Sequence, residues 1–234
     1  MTYRDLAPGL RRLWALARLG TAGLGLLAAT SWVSPVSAVD TVALADPAAN
    51  VPVPEAMSNA CAAAPTLACQ AATAAAIDVA RAREGVAPLS LPAGFYTMRT
   101  VSQLLVVADL ERTDRGLPAF VGLSPRLNRM ALVGAVSKTD PDGPAADTWG
   151  ANLAIGYTSA LQADYAWMYD DGVGSDNADC TPRDRSACWG HRQNILDGYG
   201  PHPAMGAAVA KTEFYGQPSV SMTELFVNEE PTPG

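Results

Sequence analysis

The chain has 234 residues with 23 acidic and 16 basic side chains, a net charge of −7, and its length suits one domain with a single core. Beyond residue 38 it holds no basic cluster, which excludes nucleic acid and anionic membrane surfaces as partners.

Residues 1–38 read as a cleavable signal peptide. Arg4, Arg11, Arg12 and Arg18 form a positive opening, residues 19–33 run without a charge, and Val36-Ser37-Ala38 offers the small residues a signal peptidase reads. A spanning helix needs about 20 apolar residues, and this run is shorter and rich in Gly, Ser and Thr. The membrane is therefore expected to be met only in transit, and the mature protein to be secreted, beginning near Val39. Without the leader's four arginines and one aspartate, 12 basic and 22 acidic residues remain, a net charge of −10.

Residues 39–69 are expected to be a flexible lead-in with an N-terminal disulfide loop, because 39–60 are rich in Ala, Pro, Asp and Asn and show no apolar period. Residues 70–230 form the domain. The cysteines are Cys61, Cys69, Cys180 and Cys188, an even number in an exported chain, and four cysteines allow three pairings. The two equal short spacings favour Cys61–Cys69 and Cys180–Cys188, and neither pair has metal-finger spacing.

Residues 70–84 are alanine-rich and predict a helix that ends at Gly85. Pro88, Pro92 and Gly94 make residues 86–96 an extended connection. Thr100 with Gln103 reads as a capping box ahead of Val101, Leu104, Leu105 and Ala108. Ser124-Pro125 is an N-cap with proline in the first turn, followed by the face Leu127, Met130, Ala131, Gly134 and Ala135. Residues 152–157 suit a short strand, and Ser159 with Gln162 caps a helix carrying Leu161, Tyr165 and Met168. Met205, Ala207 and Val209 then alternate, Gly216-Gln217-Pro218 turns the chain, and Val220, Met222 and Phe226 return, with Glu224 interrupting the set. Helices first and a hairpin last predict an α+β domain.

The familiar catalytic motifs are missing. There is no Gly-x-Ser-x-Gly, His-Glu-x-x-His, Cys-x-x-Cys or phosphate-binding glycine loop, and the histidines are His191 and His202 alone. In Cys188-Trp189-Gly190-His191, a disulfide half and a glycine precede a histidine, an arrangement that can hold a side chain pre-organised. A buried histidine bonded to a backbone carbonyl fits the same stretch equally well.

Gly190-His191-Arg192-Gln193-Asn194-Ile195-Leu196 resembles the Gly-His-x-x-x-Ile/Val-Leu segment of the CAP superfamily, the SCP-like or pathogenesis-related-1-like domains, in its bacterial form. Four further stretches follow the family's order. They are Asp109-Leu110-Glu111-Arg112 with Gly116-Leu117-Pro118, Gly150-Ala151-Asn152-Leu153-Ala154, Trp167-Met168-Tyr169-Asp170, and Thr223-Glu224-Leu225-Phe226. The resemblance covers residues 100–228 and implies a three-layer α-β-α sandwich. It also implies a cleft holding two histidines and two acids. Here His191 stands for the second histidine and Asp170 for one acid, while Ala151 replaces the other. The first histidine should fall within 138–144, where Lys138-Thr139-Asp140-Pro141-Asp142-Gly143-Pro144 contains none.

One imidazole and one carboxylate would leave a metal ion mostly hydrated, so no metal and no cofactor is expected. The loop with Asp170, Asp171, Asp176 and Asp179 lacks the spacing of a calcium loop. The resemblance implies a ligand-binding cleft at His191, Asp170, Asn152, Trp167 and Trp189, and the missing histidine and Ala151 count against catalysis there. Its ligand would be a small apolar or cell-envelope molecule, or an extracellular protein partner. The alternative is an extracytoplasmic hydrolase, acting on peptide or cell wall with His191 as base and Asp170 orienting it.

Overall fold

The computed structural model describes residues 44–62, 66–145 and 147–229. The expected signal peptide and its expected cleavage site lie outside the described residues. Among the described residues the elements in chain order are α1 (Glu55–Cys61), α2 (Leu67–Arg83), a 3₁₀ turn (Phe95–Thr97), α3 (Thr100–Thr113), α4 (Pro125–Ser137), β1 (Trp149–Ile155), α5 (Ala160–Tyr169), α6 (Gly190–Leu196), β2 (Pro203–Phe214) and β3 (Gln217–Asn228). The domain is α+β, with one antiparallel sheet in the order β1-β3-β2.

Local chemistry sets the helix ends. Ser124 Oγ accepts from Leu127 N ahead of Pro125, and Ser159 Oγ accepts from Gln162 N at 3.3 Å. Gln162 reaches back to Thr158 N at 2.9 Å, closing the box one residue upstream of the cap. The expected box at Thr100 does not form. Arg99 is the N-cap there without a side-chain bond, and Gln103 instead donates to Phe95 O at 2.8 Å, tying α3 to the 3₁₀ turn. The β2–β3 hairpin turns through Tyr215 and Gly216, both with positive φ, the backbone that matches strand twist in a two-residue turn.

Alternation along the strands divides the core in two. Ala151, Ala204, Ala208, Leu225 and Val227 pack with Leu127, Ala131 and Ala135 of α4. Gly206 lets the Leu127 backbone come so close that a Cβ there would overlap it, and Thr223 Oγ1 donates to Ala131 O at 2.7 Å. Met205, Ala207, Met222 and Phe226 instead join the larger cluster of Ile77, Leu104, Leu161, Trp167 and Met168 from α2, α3 and α5.

Both sheet edges are dressed. On β1, the carbonyls of Ala151 and Leu153 accept from Asn194 Nδ2 at 2.7 Å and Trp167 Nε1 at 3.1 Å. On β2, Val121 N donates to Pro203 O, Met205 exchanges bonds with Gly122 and Ser124, and Ala207 N donates to Asn128 Oδ1.

The lead-in is corrected by the structure, for residues 44–62 are docked instead of free. Val51 N donates to Tyr169 O at 2.8 Å, Tyr165 Oη donates to Val51 O at 2.9 Å, and Val51 and Met57 are buried in the core. Backbone and amide hydrogen bonds hold this strap, which is why no apolar period announces it. The disulfides are Cys61–Cys69 and Cys180–Cys188, each spanning a sequence separation of 8. Loops of this length contribute about 2.5 kcal/mol apiece in the chain-entropy account.

Candidate functional site

His191 stands in the first turn of α6, and three constraints fix it. The Cys180–Cys188 bridge anchors the approach, Trp189 takes a left-handed backbone with φ 64°, and Trp189 N donates to Asp171 O at 3.1 Å. His191 N then donates to Asp171 Oδ2 at 3.0 Å, and its Nδ1 lies 2.6 Å from Asp171 Oδ1. Asn177 Nδ2 donates to the same Oδ1 at 2.7 Å. The Asp171 side chain is 1% exposed, whereas that of His191 is 21% exposed at the cleft wall.

The acid that pairs with His191 is thus Asp171, one residue beyond the expected Asp170. Helix α5 ends at Tyr169, and Asp170 leaves it with φ −134° and ψ 53°, so consecutive carboxylates diverge. Burial alone would lower the His191 pKa, but the hydrogen bond and charge of Asp171 outweigh it and raise the pKa above 6.5, helped by Asp140 and Asp179.

Around the pair lies a cleft of about 600 Å³. Its acidic wall is Asp140, Asp170, Asp171, Asp176 and Asp179, and its apolar wall includes Leu153, Ile155, Tyr157, Trp167, Phe214 and Tyr215. Burial, then Asp176 and Asp171, raises the pKa of Asp170. Burial also raises that of Asp140, with His191 opposing and Asp179 adding. Tyr157 Oη donates to Asp176 Oδ2 at 3.3 Å, and burial and the neighbouring carboxylates raise its pKa strongly.

Of the residues predicted from sequence, His191, Asp170 and Trp167 line this cleft. Asn152 is wholly buried and supports it from behind, donating to His191 O at 3.2 Å and Glu224 Oε2 at 3.4 Å while accepting from Asn194. Trp189 faces a separate recess beside the strap and Gly172. Asp140, which the sequence reading did not single out, also lines the cleft. Ala151 is buried against α4. His202 directly precedes β2, its N donating to Asn228 Oδ1.

Among the described residues no three His, Cys, Asp or Glu side chains are grouped to hold a metal ion. The cleft's lining includes no serine, threonine or cysteine. No family model, no curated protein and no solved structure matches this chain.

Proposed function

We propose that this chain is an exported CAP-like domain, a three-layer α-β-α sandwich, that holds a ligand in the His191 cleft without transforming it, and that the ligand joins a positive charge to an apolar body. The five motifs in family order support the family reading, and helices packed against both sheet faces support the sandwich. Two disulfides, with no helix among the described residues long and apolar enough to cross a membrane, fit an extracytoplasmic place.

The observation that carries the ligand class is the make-up of the cleft wall. Five aspartates face it with no lysine or arginine among the lining residues, and Tyr157, Trp167, Phe214 and Tyr215 stand beside them. A neutral sterol-like body would desolvate those carboxylates without compensation. An amine or guanidinium group pairs with them and gains from the aromatic faces as well. A cell-envelope amine or a basic peptide segment has this chemistry.

The test is calorimetry with the amide of Nα-acetyl-Leu-Lys, the same compound with its Nε also acetylated, and cholesterol. At pH 8 the free amine should bind about tenfold more tightly than the acetylated form, a difference of about 1.4 kcal/mol. Binding should weaken as pH falls through the raised His191 pKa, where the imidazole gains its proton and repels the cation, and should weaken in Asp176→Asn. Equal binding of the acetylated form, or preference for cholesterol, overturns the reading. The His191 Nδ1–Asp171 contact favours one competing role, an imidazole that activates water. Cleavage of the dipeptide amide that disappears in His191→Gln would establish that role instead.

A further inference from the structure

The strap of residues 44–54 bonds to residues that directly neighbour both members of the His191–Asp171 pair. Asn50 Oδ1 accepts from Gly172 N at 2.7 Å, and Asn50 Nδ2 donates to Val173 O at 3.2 Å and Gly172 O at 3.4 Å. Gly172 directly follows Asp171, whose carbonyl and carboxylate take up the start of α6 on the other side. The same strap reaches α6 itself: Gln193 Nε2 donates to Asp46 Oδ2 at 2.8 Å, and Arg192 Nη2 donates to Ala45 O at 3.3 Å. Residues 171–173 are therefore clasped between α6 and a single asparagine more than 120 positions upstream.

We infer that Asn50 is a positioning residue for the His191–Asp171 pair, acting through the Gly172 backbone; this rests on the reading that their cleft is the functional site. Three features carry it. The asparagine amide uses both its acceptor and its donor groups on adjacent peptide units, which fixes their direction as a single bond could not. The contact also requires glycine, since a Cβ at residue 172 would lie 2.6 Å from Asn50 Oδ1 and 2.8 Å from the Trp189 ring. Finally, Asp171 receives two bonds from His191, so rotation of the 171–172 peptide would disturb both together.

Because Asn50 is uncharged, replacing it can change the His191 titration only through geometry. In Asn50→Ala, NMR should show the His191 pKa falling toward its value in Asp171→Asn, with the hydrogen-bonded Nδ1 proton signal weakened or lost. Gly172→Ala leaves Asn50 in place but pushes it away, and should give the same two signatures; it decides the matter if Asn50→Ala does not fold. A merely structural asparagine would lower Tm and leave His191 unchanged, and an unchanged His191 pKa in these variants overturns the inference. Failure of the underlying reading looks different. There, the calorimetric preference for the free amine would be absent while the His191 signatures of Asn50→Ala remained.

Discussion

Asp170 and Asp171 have the same side chain in adjacent positions, and one backbone turn assigns them different work. Asp170 is half-exposed in the cleft with a raised pKa, while Asp171 is buried and accepts from three donors. Asp171→Asn should lower the His191 pKa measured by NMR, and Asp170→Asn should leave it nearly unchanged. The stability follows with a definite sign. A histidine whose folded pKa is raised contributes stability that is fully present below its unfolded pKa of 6.5 and is lost as pH rises through the folded value. Asp171→Asn should therefore lower Tm more at pH 5.5 than at pH 8, measured by calorimetry. From the sequence, Trp167-Met168-Tyr169-Asp170 pointed to the correct segment. It could not reveal which acid faces the imidazole, because that depends on the helix ending at Tyr169 and on the dihedral angles that follow.

Elements with strong local signals were legible: the α2 helix before Gly85, the Ser124 and Ser159 caps, and the closing hairpin, although its turn falls at Tyr215-Gly216 and Gln217-Pro218 already belong to β3. Those held by distant partners were not. Helix α6 has seven residues, too few for an apolar period, and the strap is secured by hydrogen bonds to residues 165–193. Alternation along β2 likewise told which residues share a face but not how close a helix lies above them. Gly206 marks that distance. Gly206→Ala would drive its Cβ into the Leu127 backbone, which cannot swing aside as a side chain would, so α4 must lift from the sheet. The expected cost is about 1–3 kcal/mol, read as a lower urea midpoint with an unchanged m value.

On the scale of the whole molecule, a charge network joins the ends of four helices. Arg81 pairs with Glu111 and Asp114, Arg115 with Glu111 and Glu84, and Arg192 with both oxygens of Glu84, while Tyr169 Oη donates to Glu111. Three guanidinium groups meet three carboxylates, which leaves Asp164 nearby without a counterion. Asp164 is buried with neither oxygen hydrogen-bonded, and burial, Glu111 and Glu224 raise its pKa well above the ordinary value despite Arg81 and Arg115. Burial raises that of Glu224 too, against the bond from Asn152. Both groups bind a proton more tightly folded than unfolded, so they weaken the fold as pH rises above the unfolded carboxylate pKa of about 4. Tm should therefore be higher at pH 5.5 than at pH 8.5, and Asp164→Asn, which has no proton to lose, should flatten that decline. A decline of equal steepness in the variant would place its origin elsewhere. The dressed sheet edges also bear on the company this protein keeps. Side chains occupy the outward carbonyls of β1 at Ala151 and Leu153, and residues 121–128 cover the first half of β2. A passing extended chain thus finds few open backbone groups to pair with there, and crowding has little purchase for adding strand upon strand into aggregates.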